Sequence, residues 1–318
     1  MTVLNWSAVS PISTSKGCQA FSCNGDGTIL LAAYYTGSAY LSTNGGVSWG
    51  AIRGTDNYNG SAMDITGRIM ILTTAGALHE LYYSVNQGAN WTGTGIAGAY
   101  GGCAISANGL VFYGTNGGAH SVVQSVDQGA HWATLANSPL IDGNSIATNF
   151  DGSIVLTAYR GKRAYVSTDS GVSWPEVQPN GNADFAWCGC AMDYSGAKQY
   201  IIYNPGRIYR STGTGATGTW TETQPNGNAS FNWTSIFCSW NGSTVFAQAS
   251  ASRLWVSIDS GVTWAETRPV SDSNQYWGNF GFVSPYGEAF GAVLTPPVNP
   301  TKVYLSNYRE NIAALFIA

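Results

Sequence analysis

The chain has 318 residues, only 9% of them charged, with 13 Lys plus Arg against 17 Asp plus Glu and a formal net charge of −4. So few Lys and Arg are a poor match for a phosphate backbone, so no nucleic-acid partner is expected. No run of 18 apolar residues occurs, so no membrane insertion by a helix is expected; 40 Gly, 12 Trp and 18 Tyr suit short strands and tight turns.

The start, Met1-Thr2-Val3-Leu4-Asn5-Trp6, has neither a positive n-region nor an apolar h-region. No signal peptide is therefore expected, and synthesis in a cytoplasm is, with retention there or release within a larger particle. From there the chain repeats. Two-residue turns ending in Gly fall at Asp26-Gly27, Thr66-Gly67, Asn108-Gly109, Asp151-Gly152, Ser195-Gly196, Asn241-Gly242 and Tyr286-Gly287. Such dipeptides between apolar runs mark hairpins. A second series runs in phase with the first. Serines at 42, 84, 125, 167, 211 and 257 each open a short stretch that ends in Trp, and Ser306 follows a strand of the same kind.

The sharpest copy of that stretch is Ser167-Thr168-Asp169-Ser170-Gly171-Val172-Ser173-Trp174. Asp259 and Asp127 hold the acidic position in two other copies, Asn44 and Asn86 in two more, and Gly213 in a looser one. An Asp or Asn side chain can accept backbone N–H groups two residues on and close the turn. The Gly takes a left-handed backbone, and the Trp packs beneath. These five acids and amides are therefore read as turn formers. Between the markers each unit reads as four strands, here termed a to d from first to last, as in Ser153–Tyr159 for b and Arg163–Ser167 for c. A four-stranded repeat of about 40 to 50 residues is one propeller blade. The expectation is an all-β, seven-bladed β-propeller with four-stranded blades, one domain over residues 1–318. Ser306 is followed by no such stretch, while Trp6 stands where a strand-d Trp would, so the N-terminal strand is expected to close the last blade. The alternative is that the segment 311–317 forms that outer strand or docks on a partner.

The Ser-x-Asp-x-Gly-x-Ser-Trp stretches resemble the Asp-box, or BNR repeat, of sialidases, sortilin-like receptors, some glycan hydrolases and photosystem assembly factors. The resemblance implies a β-hairpin turn that is structural rather than catalytic. At fold level the chain is also similar to lectin propellers of bacteria and fungi and to BNR-like propellers of phage and bacterial genomes.

In such a ring the a–b turns and the Asp-box turns share one face, and the b–c turns and d–a crossovers share the other. The crossover face varies, which is where binding normally resides. The crossover 178–187 is nearly repeated at 224–233, with a diverged version at 268–277. Trp187, Trp233, Trp277, Tyr58 and Tyr100 recur at the mouth of strand a, out of phase with the core positions that follow. With Asn182, Asn228, Asp184 and Asp272 beside them, these rings form a candidate carbohydrate site. Aromatic faces stack on a pyranose while amides and carboxylates take its hydroxyls. A ring of such sites would add by avidity. The competing reading packs the rings between blades. Arg160, Lys162 and Arg163, with Arg207 and Arg253 at matching positions, are either an anion site or a ring of solvated cations.

No catalytic residue is assigned. A sialidase needs three arginines, a Tyr–Glu pair and an Asp acid, and has an Arg-Ile-Pro stretch near its start. Here Arg precedes Ile only at Arg68 and Arg207, and no Arg-Ile-Pro occurs. Glu176, Glu222 and Glu266 recur at one strand-d position and read as a blade feature rather than a glycosidase pair. His79, His120 and His131 lack ligand spacing, and the six cysteines read as small core residues, so no metal and no cofactor is expected. The resulting expectation is a non-catalytic binding propeller, with glycan as ligand and adhesion on a cell surface or virion as its setting. The rival is a structural or assembly propeller that docks a protein partner. Exposure of Trp187 and Trp233 separates the two.

Overall fold

The computed structural model describes residues 6–9, 17–76, 80–117, 119, 121–139, 145–215, 219–223, 225, 227, 230–269, 277–287, 289–294 and 302–307. These form antiparallel sheets arranged as the blades of a β-propeller. The first sheet has six strands, Cys18–Cys23, Leu30–Ser42, Gly50–Met63, Met70–Thr74, Leu81–Ser84 and Thr92–Gly93. The second holds Tyr100–Ile105, Phe112–Asn116, Ser121–Ser125 and Ala133–Thr134; the third Ser145–Thr148, Val155–Ala158, Ala164–Ser167 and Glu176–Val177. The fourth joins Arg160–Lys162 to Phe185–Met192, Gln199–Tyr203, Ile208–Ser211 and Trp220–Thr223. The fifth holds Trp233–Cys238, Val245–Ala249, Leu254–Ser257 and Ala265–Thr267. The last is built from Trp277–Val283, Ala289–Leu294, Lys302–Asn307 and, from the other end of the chain, Trp6–Ala8.

The expected count of seven four-stranded blades is corrected by this pairing: counted as hydrogen-bonded sheets, the described residues form six blades. The reason is local. Leu30–Ser42 and Gly50–Met63 run on as 13- and 14-residue strands where other units break. The crossover between the first two repeats has no loop of its own, so both repeats share one sheet.

Second strands read as continuous apolar runs, such as Leu30-Leu31-Ala32-Ala33 and Tyr200-Ile201-Ile202, because a neighbouring sheet covers each face. The core lies in the layers between sheets. Leu156, Val166 and Val177 of the third sheet meet Trp187, Ile201 and Tyr209 of the fourth. The ring closes where Trp6 lies opposite Ser306 and Ala8 opposite Tyr304, with Trp6 Nε1 donating to Thr267 Oγ1 at 2.8 Å. The N-terminal strand thereby becomes the outer strand of the last sheet. The segment 311–317 lies outside the described residues.

The Ser-to-Trp stretches form one repeated turn. In the sharpest copy Ser167 Oγ donates to Asp169 Oδ1 and accepts the Gly171 N–H, both at 2.8 Å. Asp169 Oδ1 also accepts the Ser173 N–H at 2.9 Å, and Trp174 Nε1 donates to Gly171 O at 2.9 Å. Asn44, Asn86, Asp127 and Asp259 accept in the same way from residues 48, 90, 131 and 263. The turn has two left-handed residues rather than one: Ser170 at φ 59° and Gly171 at φ 86°, with Gln87, Gln128 and Ser260 matching Ser170.

Candidate functional site: the mouth of the central channel

The innermost strands surround a cavity of about 550 Å³ that runs along the propeller axis. Gly60, Gly101, Cys103, Cys188, Gly189 and Cys190 lie on its wall, with larger residues such as Phe21, Phe237 and Phe282. Burial pushes the thiols of Cys103, Cys188 and Cys190 up to about 12, so they are neutral and act as hydrogen-bonding groups. Cys188 Sγ donates to Trp233 O at 3.3 Å, and Cys190 Sγ lies 3.2 Å from Ser145 Oγ, each contact tying neighbouring sheets together. Among the described residues no three His, Cys, Asp or Glu gather as a metal-ligand group.

The five aromatic rings of the sugar hypothesis are buried rather than exposed, although Trp233 borders the cavity. Tyr58 and Tyr100 are 0% exposed, Trp187 and Trp233 1%, and Trp277 3%. Each pairing register shifts immediately after the ring, between Trp187 and Gly189, Trp233 and Ser235, Trp277 and Gly281, Tyr58 and Gly60, and Tyr100 and Cys103. One extra residue in a strand moves the preceding side chain to the other face. At Trp187, Trp233, Tyr58 and Tyr100 the alternation that pointed the ring outward is thereby inverted and the ring enters the core; Trp277 is buried as well, where the register shifts by two residues. Trp187 packs against Phe185 at 5.3 Å and Tyr203 at 5.5 Å between ring centroids. The polar handles turn inward too. Trp233 Nε1 donates to Gly206 O at 3.0 Å, Tyr100 OH to Ile96 O at 3.0 Å, and Tyr58 OH to Gly54 O at 2.7 Å. The Arg53 guanidinium donates to Tyr58 OH and lies 3.6 Å from the centroid of Tyr82.

At the surface of this mouth stand other groups. Asn182 and Asp184 are exposed on the crossover 178–187, while Asn228 and Asp272 lie outside the described residues. Asp184 Oδ1 is 2.8 Å from Arg163 Nε, and Glu176 Oε1 is 3.4 Å from Arg163 Nη1. The same Arg–Glu pair recurs as Arg207–Glu222 and Arg253–Glu266, both at 3.6 Å. The arginine ring is thus neither an anion site nor freely solvated; it is an inter-strand brace between c and d. Arg160 and Lys162 differ. They sit on the short strand Arg160–Lys162, which leaves the third sheet and pairs with Phe185 and Ala186 of the fourth. Both side chains are exposed, neither carries an ion pair among the described residues, and Arg160 lines the cavity. Asn204 lines it beside them, its N–H donating to Ala186 O at 3.0 Å. His131, exposed, holds Nδ1 2.6 Å from Asp127 Oδ2; His79 and His120 lie outside the described residues.

The pairing of Arg160–Lys162 with the next sheet was missed in the sequence. The Tyr159-Arg160-Gly161-Lys162 turn, with Gly161 at φ 75°, was its only signal.

No family model matches the chain, and no curated protein sequence matches it. Among solved structures it is similar to β-propellers. YCF48 bound to a D1 peptide matches with TM-score 0.70 at 13% identity, covering 96% of this chain and 98% of that one. YCF48 from Cyanidioschyzon merolae matches with TM-score 0.72 at 12% identity, covering 96% and 99%. The GH74 xyloglucanase from Xanthomonas campestris matches with TM-score 0.71 at 17% identity over 92% of this chain, which spans 52% of that protein's length. At such identities the likeness establishes the propeller fold alone.

Proposed function

We propose that this chain is a non-catalytic binding propeller that docks a protein partner at the crossover-side mouth of its channel. One observation carries the choice of partner. The five rings that would have stacked on sugars are core residues, which leaves the exposed lip of the mouth polar and locally cationic. Arg160 and Lys162 offer exposed donors, without an ion pair among the described residues, to an acidic or carboxylate-bearing segment. Likeness over nearly the whole of both chains to a propeller solved with a peptide bound supports the reading at the level of fold. Glu176 and Asp184 are both braced by Arg163, an arrangement that suits a scaffold better than an acid–nucleophile pair.

A glycan remains the second reading. It is favoured by the exposed Asn180, Asn182 and Asp184 on one crossover, with Asn180 Nδ2 3.4 Å from Tyr203 OH. Random-peptide display on the immobilised protein, run beside a glycan array, tests both. The docking reading expects acidic peptides whose affinity falls about tenfold or more in an Arg160→Ser/Lys162→Ser variant, the loss of two charge-assisted contacts. A blank selection with a sugar class bound on the array would overturn it.

A further inference from the structure

The opposite face carries a feature that the docking reading does not use. Its a–b turns are chained by backbone hydrogen bonds: Phe150 N–H donates to Tyr194 O, Tyr194 N–H to Trp240 O, and Trp240 N–H to Pro285 O, at 2.6 to 2.9 Å. The same turns bring four rings into one arc. Phe150 stacks on Tyr194 at 4.4 Å, Tyr194 meets Trp240 at 5.1 Å, and Trp240 meets Tyr286 at 5.8 Å. Tyr194 and Tyr286 are 41% and 56% exposed, unlike the rings at the other mouth. The Asp-box turns lie on this same face, since Ser170 N–H donates to Ser153 O and Ser260 N–H to Ser243 O at the foot of the neighbouring a–b turns. They add exposed Val126, Val172, Ile258 and Val262 around the arc.

The surroundings are anionic. Asp26, Asp127, Asp151 and Asp169 are exposed on these turns. Turn hydrogen bonds hold all four carboxyls below the ordinary range, that of Thr28 for Asp26 and of Ser153 for Asp151, so all stay ionised at neutral pH. The cations that reach the face are largely tied. Lys198 Nζ donates to Asn241 O and Ser260 Oγ, and Arg210 Nη1 to Ser260 O, leaving Arg68 exposed.

An aromatic arc inside a ring of carboxylates is complementary to a cation with a flat apolar face. A guanidinium stacks on Tyr or Trp and pairs with carboxylate at its edge, whereas an ammonium is a compact, strongly hydrated charge. We infer that the arc Phe150–Tyr194–Trp240–Tyr286 is a second docking surface, on the face opposite the channel lip, for an arginine-bearing protein segment. A second copy of this chain is a poor occupant face to face, because like charges would meet.

The test uses the intact protein and a fluorescent peptide with three Gly-Arg repeats, its Gly-Lys counterpart and a Gly-Ser control, read by polarisation at low and high salt. The Arg peptide is expected to bind tightest. A Tyr194→Ala/Tyr286→Ala variant, exposed positions that leave the core alone, should weaken it by about two- to fivefold per ring and erase the preference for Arg over Lys. Tyr194→Phe/Tyr286→Phe should restore both. Equal binding of Arg and Lys peptides, unchanged in the Ala variant, would reduce the effect to bulk charge and overturn the inference. So would a glycan-array signal that the Ala variant loses, or a concentration-dependent dimer that it abolishes. The Arg160→Ser/Lys162→Ser variant should bind the Arg peptide as the wild type does, so the two surfaces stand or fall separately.

Discussion

Replacing Trp187 by Ala should unfold a large part of this protein's stability rather than remove a binding group. The ring is 1% exposed and packs among Leu156, Val166, Ile201 and Tyr209 between two sheets. A buried Trp removes about 150–250 Å² from water, which at about 25 cal/mol per Å² sets an upper bound of about 4–6 kcal/mol. Truncation of buried Trp or Phe to Ala costs about 3–5 kcal/mol, a large share of the roughly 5–15 kcal/mol that holds a domain together. Trp187 Nε1 has no hydrogen-bond partner among the described residues, so the loss is packing, and Trp187→Phe should recover most of it. Trp233 differs, because its Nε1 donates to Gly206 O. Trp233→Phe should cost about 1 kcal/mol more than Trp187→Phe for the abandoned carbonyl. Guanidinium unfolding followed by circular dichroism measures these differences. A Trp187→Ala protein within about 1 kcal/mol of wild type would place the ring at the surface and refute the bulge argument.

Three further outcomes follow from the turns and thiols. Asp127 and Asp169 sit at about 2 in the folded protein, held there foremost by the His131 N–H and the Ser173 hydroxyl, against about 4 when unfolded. Their folded values are depressed, so their stabilisation is present above about pH 4 and lost as pH falls towards 2. Asp127→Asn/Asp169→Asn should flatten the decline in urea midpoint over that window, and an unchanged slope would contradict the assignment. Gly161 and Gly171 both have left-handed backbones, but a Cβ meets nothing within 4 Å at Gly161 and lies 2.5 Å from Leu135 Cδ1 at Gly171. Gly161→Ala should cost about 1–2 kcal/mol from backbone strain alone, and Gly171→Ala about 1–3 kcal/mol more, read from unfolding midpoints. Cys103, Cys188 and Cys190, with thiols near 12, should resist a thiol reagent at pH 8 until denaturant is added; stoichiometric labelling of the native protein would show an open, aqueous channel.

The turns were legible because they rest on local chemistry. Asp169 or Asn44 two residues after a Ser, followed by Gly and Trp, specifies the same hydrogen bonds wherever it occurs. The number of sheets was not, because it depends on whether Gly50–Met63 pauses at the crossover, and no residue there enforces a break. The candidate site suffered from the same limit. Period-2 alternation put Trp187 and Trp233 on the open face, and a single bulge after each reversed it. The arc was open to discovery: Phe150, Tyr194 and Trp240 each stand two before a turn Gly, and Tyr286 one before. Turns of uniform length read as scaffold, so sequence alone does not single the arc out.

We propose that the crossover-side lip, and not the buried rings, receives the ligand. Hydrogen exchange of the backbone, with and without the strongest acidic peptide from display, tests it most directly. Added protection is expected at Arg160–Lys162 and along 180–186, with the Ser-to-Trp turns unchanged. Protection confined to the turns around Tyr194 and Tyr286, or no protection at the lip, would contradict it.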